Sequence, residues 1–378
     1  MEAFGPKYIL GLERTLSISR RQALDGTLHL HQWQVDVCRR NPSLHEWTFD
    51  PWRGYNSSQQ AMSKPMLMSW CVKGKHPCYF VVVQRFKRPG GWRVIKEADL
   101  LERSDPRRPF VEPGQHGNGW SDLRIFSDPR GKHLRVIYYD AKPPNKYFQP
   151  WTDWLFYKST IDSLHVGPAS TWLETQSWSK RHAAITVPLS QKNWSPFVWN
   201  DTVYFIYSSI PKHRIAATVS RDFDEGGHIG GQAVELDVFT SLAPASFHWD
   251  WGDIRGGTPA ELIETPETGV KYLTFFHSQA RAHHPAIKTY FMGAYLFEPF
   301  PPFRISHISA EPLVPSGGFY NESAFGWAYG NLDYVVFPMG LVVLDANSTV
   351  VVSVGLNDAK CFLLELGLRA LVRTMVKL

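Results

Sequence analysis

Apolar positions in this chain fall in short runs with a period near two, separated by Gly, Pro, Asn and Asp. Apolar residues spaced three and four apart, the mark of a helix with one buried face, are nearly absent. The runs are rich in Val, Ile, Phe, Tyr and Trp, which predicts strands. Three hairpins stand out. Leu123–Phe126 and Leu134–Tyr139 flank the turn 127–131; Ser195–Trp199 and Val203–Tyr207 flank Asn200-Asp201; Tyr334–Phe337 and Val350–Val354 flank a turn containing Asp345-Ala346-Asn347. A fourth pair is Ala260–Ile263 with Tyr272–Phe276. The Pro-rich stretch Pro299–Phe303 reads as a loop between repeats.

The hairpins share a layout. A polar or glycine-containing cluster comes first, then a strand, a turn and a more apolar strand. The clusters are Tyr55-Asn56-Ser57-Ser58, Ser121-Asp122-Leu123-Arg124, Lys192-Asn193-Trp194, Arg255-Gly256-Gly257-Thr258-Pro259 and the stretch before Val335. They recur roughly every 65 to 80 residues, the logic of a repeat architecture. Five small antiparallel sheets packed radially give an all-β, five-bladed β-propeller, with the polar clusters projecting into one cavity. The expected organisation is a single domain over 1–378. Residues 1–50 form the first strands and an N-terminal extension, and 361–378 a ring-closing C-terminal segment. Arg369–Leu378 reads as a short strand or an amphipathic helix. The alternative architecture, a β-sandwich or two smaller β domains, fits the even spacing less well.

Composition changes this picture in two places. Aromatic residues make up 14% of the 378 residues, with 15 Trp, 15 Tyr and 23 Phe. Most belong to a core, but flat rings also stack on the apolar faces of sugars. The formal net charge is +5 without any dense basic run, zinc-finger spacing or aromatic–basic RNA motif. That favours a small anionic ligand such as a phosphate or a nucleotide sugar over a nucleic acid. No stretch approaches the roughly 20 apolar residues of a membrane helix, so no membrane partner is expected. Residues 1–21 carry charges throughout and read as no secretory leader. The four cysteines, Cys38, Cys71, Cys78 and Cys361, fit no zinc pattern. They read as buried free thiols, with a Cys71–Cys78 hairpin disulfide as the alternative. Asn-X-Ser/Thr triplets at Asn56, Asn193, Asn200, Asn321 and Asn347 then read as chance occurrences, and the expected location is cytoplasmic.

Taken in order, Lys192-Asn193-Trp194-Ser195-Pro196, Arg255-Gly256-Gly257-Thr258-Pro259, Phe275-Phe276-His277-Ser278, Met292-Gly293-Ala294-Tyr295, Val336-Phe337-Pro338-Met339-Gly340 and Gly355-Leu356-Asn357-Asp358 resemble the β-mannoside phosphorylases of glycoside hydrolase family 130. They also resemble the related β-1,2-mannosyltransferases of glycosyltransferase family 108. The resemblance runs from about Asn56 to the C-terminus. It implies a five-bladed propeller and transfer with inversion at the mannose anomeric carbon, with a single Asp as proton donor. The family's Glu-Asp-Pro-Arg motif is matched here by Ser121-Asp122-Leu123-Arg124, which implies Asp122 as the acid and Arg124 as its supporting cation. The Glu and the Pro are missing. The family's phosphate pocket implies roles for Asn56 and Ser57, Lys192 and His277, and Asp358 matches an Asp that binds mannose hydroxyls. The arginine expected after the third-blade strand is absent, with Lys212 and Arg214 as substitutes, a gap that favours a sugar-nucleotide transferase over a phosphorylase. No cofactor is implied, only phosphate or a nucleotide sugar as co-substrate beside a mannoside.

Chemical reasoning keeps other readings in view. An inverting transfer to an external nucleophile needs one protein carboxyl group as acid. An anion needs fixed cations and N–H donors, which Lys192, Arg124, Arg255 and His277 supply, with Asn193 beside them. Outside the resemblance, Asp122 reads as a turn or cap residue, Lys192 as a solvated edge and His277 as a structural histidine. Arg255 before two glycines fits structure and binding equally. An inverting hydrolase would need a second carboxylate, from Asp250, Asp253 or Asp358, roughly 6.5–9.5 Å from Asp122. A noncatalytic carbohydrate-binding propeller would keep the aromatic cavity without a placed acid. The run His248-Trp249-Asp250-Trp251-Gly252-Asp253 offers too sparse a ligand set for a metal and suits sugar contacts or a plain loop better.

Overall fold

The structure, a computed structural model, describes the backbone of residues 31–34, 43–46, 66–71, 78–85, 92–98, 121–127, 134–142, 147–157, 164–166, 171–172, 193–218, 234–281, 288–314, 334–344, 347–356 and 360–378. Side chains are described over 124–126, 193–217, 237–280, 289–314, 335–344, 347–356 and 360–378. The described elements are strands apart from one six-residue helix, so the fold is all-β. The chain divides into two compact units. One comprises Met1–Pro42, Ser209–His213 and Ser241–Leu378; the other comprises Ser43–Ser208 and Arg214–Thr240.

Strands that lie wholly or mostly in the second unit make three antiparallel sheets. The first is a meander of β2 (Ser43–Glu46), β3 (Met66–Cys71), β4 (Cys78–Arg85) and β5 (Trp92–Ala98). In the second, β6 (Ser121–Ser127) pairs with β7 (Leu134–Lys142), and β7 with β8 (Tyr147–Tyr157). Two short strands, β9 (Leu164–Val166) and β10 (Thr171–Trp172), pair with β8. The third runs β11 (Ser195–Trp199), β12 (Thr202–Ser208), β13 (Lys212–Thr218) and β14 (Val234–Leu242). Here the β11–β12 hairpin closes on Asn200 and Asp201, with φ of 47° and 56°. Both turn residues are left-handed, as a two-residue turn matching the strand twist requires, and Asn and Asp tolerate that conformation best after Gly. Val203, Tyr204, Phe205, Ile206 and Tyr207 are all buried, so β12 is covered on both faces. Phe205 meets Phe126 edge-on at 6.3 Å and Trp194 at 6.0 Å, joining the second and third sheets through aromatic packing.

The first unit holds a ten-stranded sheet. One part is built on β17 (Gly269–Arg281), which pairs with both β15 (Asp253–Gly256) and β16 (Glu261–Thr265) on one side and β18 (Lys288–Phe297) on the other. Strand β19 (Ile305–Ser309) follows β18, and β23 (Met375–Lys377) pairs with β19. The other part runs β20 (Tyr334–Leu344), β21 (Thr349–Leu356), β22 (Lys360–Gly367) and β1 (His31–Gln34). A short parallel bridge, Thr289 to Tyr334 and Tyr290 to Val335, connects the two parts. Helix α1 (Leu368–Arg373) and β23 together make up the C-terminal segment, so both readings of that segment apply in succession.

The four expected hairpins are present; β11 has the expected bounds, and most of the other strands run longer than the pattern suggested. Pro338 sits in β20 where the register shifts between Pro338 and Gly340, a bulge that spares the ladder a missing N–H donor. Two expectations need correction. The stretch Pro299–Phe303 connects β18 to β19 inside one sheet rather than joining repeats, because its backbone folds into a turn in which Phe303 N–H reaches Phe300 at 2.9 Å and the Phe303 ring is fully buried. Cys361 is no free thiol: it is disulfide-bonded and wholly buried.

The first unit, to which Ser209–His213 belong, contains a buried polar chain. His213 is fully buried, and its Nδ1–H donates to the Phe303 carbonyl at 2.8 Å. Its Nε2 lies 3.5 Å from the Tyr295 hydroxyl, which in turn contacts Ser209 Oγ at 3.3 Å. Loss of solvation by burial holds the imidazole at about 4, well below its ordinary value, while the bond to Phe303 opposes that shift.

Candidate active site

Asp122 lies in β6, at the point where pairing with β7 shifts register between Ser121 and Arg124. A bulge of this kind bends a strand and re-aims the residues around it. Two positions on, Arg124 is completely buried, among the largest side chains with no solvent exposure. A guanidinium out of water must be hydrogen-bonded or it costs several kcal/mol. One of its partners is Asn193, whose Oδ1 accepts from a terminal guanidinium nitrogen at 3.3 Å. Asn193 is itself 3% exposed and holds a left-handed φ of 77° just before β11. Two clusters 69 residues apart are therefore brought together by a direct side-chain bond. Asn56, Ser57 and Lys192 fall outside the described residues.

Lys212 and Arg214, considered as replacements for the missing phosphate-binding arginine, both lie on β13. Lys212 is exposed. The Arg214 side chain is engaged: its Nε is 3.6 Å from Asp237 Oδ1, and the Tyr207 hydroxyl donates to the same carboxylate oxygen. Burial, followed by the bond to Asp237, pushes the Tyr207 phenol far above its usual range, so it stays a donor.

In the first unit, Arg255 and His277 face each other as register partners on β15 and β17. Arg255 is half-buried and His277 is 1% exposed. The His277 ring packs 4.3 Å from Phe337 and stacks on Tyr290 at 5.7 Å and 25°. Tyr290 and Phe337 belong to a cluster with Val335 and Met339. This aromatic setting was not foreseen; the sign of it in the sequence was the Phe337-Pro338-Met339 run, read as part of a strand and of the motif series but not as a wall for His277. Asp358, the last site residue expected here, lies outside the described residues.

The glycines after Arg255 have a packing explanation. A Cβ on Gly257 would stand 2.3 Å from the Phe275 carbonyl oxygen, so only glycine lets the two strands approach. The approach is pinned by Thr258, whose N–H donates to the Phe275 carbonyl at 3.0 Å while its Oγ1 accepts from Phe275 N–H at 3.0 Å. Gly293 likewise leaves room for the Phe276 ring, which a Cβ would meet at 2.3 Å. Of the two readings weighed for this cluster, the glycine at 257 serves structure.

The segment 248–253 is partly built into the core. Trp249 and Trp251 are buried, packing edge-on against Phe276 at 5.1 Å and Phe291 at 4.9 Å. His248 and Asp250 form an exposed pair, Nε2 to Oδ1 at 3.1 Å, and Asp253 is exposed. Trp249 Nε1 and Ser195 Oγ are buried with no hydrogen-bond partner. Among the described residues no three His, Cys, Asp or Glu side chains assemble into a metal-binding group, and no helix is long and apolar enough to cross a membrane.

No family model and no curated protein matches the chain. Solved structures do. The fold is similar to that of a glycoside hydrolase described within the GH130 family of mannoside phosphorylases as targeting β-1,2 mannosidic linkages in Candida mannan, at 12% identity over 86% of this chain and 83% of that one, with a TM-score of 0.52. A β-1,2-mannobiose phosphorylase from Listeria innocua is 17% identical over 79% of this chain and 69% of its own, with a TM-score of 0.47. A GDP-Man-dependent mannosyltransferase from Leishmania mexicana is 9% identical over 93% and 94%, with a TM-score of 0.38. These neighbours are the kinds of protein that the sequence motifs resemble, and the first of them fixes the likeness at the level of the fold.

Proposed function

We propose that the protein is a carbohydrate-active enzyme that transfers β-mannosyl groups with inversion, using a sugar nucleotide as donor and a mannoside as acceptor. The observation that carries this reading is the Arg124–Asn193 bond beside Asp122. A cation buried to zero exposure two positions from a carboxylate, at a bulge, is an expensive arrangement for a plain strand. A catalytic acid held in place for chemistry gives it a reason. In this reading Asp122 delivers the proton, directly or through a sugar hydroxyl. Arg124 is a positioning residue that acts through the local charge and hydrogen bonding.

Sugar-nucleotide transfer is favoured over phosphorolysis by Arg214. The cation that would complete a phosphate pocket is tied to Asp237 and Tyr207. Freeing it would take the cation away from the Asp237 carboxylate, leaving that charge with only the neutral donors Tyr207 and Thr240 among the described residues. Asn56, Ser57, Lys192, Arg255, His277 and Asp358 keep their assigned binding roles in this proposal, with phosphate or nucleotide oxygens and mannose hydroxyls as the groups they meet.

Five blades are also part of the reading. The ten-stranded sheet counts as two blades, β15–β19 with β23 and β20–β22 with β1, because among the described residues their backbones pair only through a two-pair parallel bridge. With the three sheets of the other unit this makes five antiparallel units. The pairing of β1 with β22 links the first strand to the last blade.

The test is a product assay with purified protein. Guanosine diphosphate mannose and mannose 1-phosphate are offered separately, with mannose and short mannosides as acceptors. The expected result is mannoside formation from the nucleotide donor, and a drop of roughly 10³-fold in kcat for Asp122→Asn. Use of mannose 1-phosphate alone would make the protein a phosphorylase. Equal rates for wild type and Asp122→Asn would remove Asp122 from the chemistry, and inactivity with every mannosyl donor would overturn the function.

A further inference from the structure

The three Asn-X-Ser/Thr triplets whose asparagines lie among the described residues separate sharply by burial; Asn56 and Asn321 lie outside them. Asn193 is 3% exposed and holds Arg124, so its carboxamide is inaccessible in the folded chain. Asn347 is half-buried between β20 and β21. Asn200 is exposed at the tip of the β11–β12 hairpin, next to an exposed Asp201, with Thr202 completing the triplet. At this tip the Asn200 backbone carbonyl accepts from Thr202 Oγ1 at 3.4 Å. The carboxamide makes none among the described residues, so the core does not depend on it. A second observation, independent of the first, concerns the compartment. Cys361 is disulfide-bonded and fully buried in β22. Structural disulfides form in oxidising compartments and are rare in the cytosol. The compartments that make them are also those in which asparagine triplets are glycosylated.

We infer that Asn200 carries an N-linked glycan and that the chain matures in an oxidising, glycosylating compartment, in place of the reducing one expected from its sequence. The glycan donor is an oligosaccharide on a polyprenyl pyrophosphate. The Asn200 side-chain nitrogen bonds to the sugar's anomeric carbon and the C–O bond to pyrophosphate breaks. The polyprenyl pyrophosphate leaves with the electron pair, and one amide proton passes to a base of the transferring enzyme. The disulfide at Cys361 forms by exchange with the disulfide of a protein oxidase. Two cysteine thiols lose two electrons and two protons, and the oxidase leaves as a dithiol. The exposed tip gives a bulky polar glycan room that a buried position would deny it.

The experiment uses the protein recovered from its source cells, with free thiols alkylated at lysis. Peptide N-glycosidase treatment in ¹⁸O-water, followed by peptide mapping, reads every triplet at once. The expected result is ¹⁸O-labelled aspartate at position 200, an unlabelled Asn193, and no alkylation at Cys361. The Asn200→Gln variant should gain mobility on a denaturing gel by one glycan while keeping wild-type mannosyl transfer, since Asn200 has no part in the proposed chemistry. An unmodified Asn200 overturns the glycan. An alkylated Cys361 overturns the compartment, and label at Asn193 overturns the burial argument. None of these outcomes depends on which sugar the enzyme transfers.

Discussion

Two polar clusters of this chain look alike in sequence and are held by different physics. Around Arg124 a buried charge is kept by a side chain: Asn193 supplies an acceptor and adopts a left-handed backbone to do so. Around Arg255 the arrangement is kept by the main chain. Gly257 lets β17 come within hydrogen-bonding reach of Thr258, and His277 opposite Arg255 is walled by Tyr290 and Phe337. The first cluster is therefore sensitive to the loss of a polar atom. The second is sensitive to the gain of a carbon atom.

The largest expected effect comes from breaking the second cluster. Gly257→Ala places a Cβ 2.3 Å from the Phe275 carbonyl oxygen, and backbone cannot yield as a flexible side chain can. Stability should fall by roughly 3–4 kcal/mol, the range of severe overpacking with strain. Chemical denaturation followed by tryptophan fluorescence reads it. A loss under about 1 kcal/mol would mean the strands part easily and the main-chain account is wrong.

The first cluster is sharpened by a pair of variants at one position. Asn193→Ala removes the acceptor from Arg124 and puts a Cβ-bearing residue without a polar side chain at a φ of 77°. A hydrogen bond to a charged group contributes about 1.5–3 kcal/mol, and a left-handed residue costs about 1–2 kcal/mol. The expected loss is about 3 kcal/mol. Asn193→Gly relieves only the backbone part and should lose about 2 kcal/mol. If the two variants lose the same, the left-handed turn carries no cost and the bond to Arg124 accounts for everything. If glycine loses nothing, the bond is not what holds the guanidinium.

The contrast also explains what could be read before the fold was known. Strand positions were legible because alternation and turn residues are local: Asn200-Asp201 declares its hairpin without help from the rest of the chain. The same holds for the polar clusters, which were visible as interruptions in apolar runs. What each cluster does was not legible. That Arg124 meets Asn193 depends on the packing of two sheets, and that Gly257 faces a carbonyl depends on the register of β15 and β16 against β17. Cys361 was misjudged for the same reason, since spacing along the chain carries no information about a distant partner. The Pro-rich stretch before β19 was assigned to the wrong kind of connection because a proline run marks a turn without saying which strands it joins.

The smallest effect concerns a third way of holding a polar group, in which a titratable side chain is buried neutral. His213 donates to Phe303 and sits at about 4, against an ordinary value near 6.5. The folded state therefore takes up its proton later than the unfolded state as pH falls. Stability from this group is complete above pH 6.5, declines as the unfolded chain gains the proton, and is fully lost once pH passes below about 4. Between pH 7 and pH 5 the difference amounts to about 2 kcal/mol. Other groups of the chain add to the pH dependence of stability, so the comparison must be differential. In His213→Gln the amide can still donate to the Phe303 carbonyl but cannot ionise. Its stability should fall less than that of wild type between pH 7 and pH 5, by that same amount, even if it starts lower. Parallel curves for the two proteins would mean that His213 accepts its proton without leaving the fold. The core around Phe303 and Tyr295 would then admit a charge, as the Arg124 cluster does, and the distinction between a polar cluster built for charge and one built against it would fail at this position.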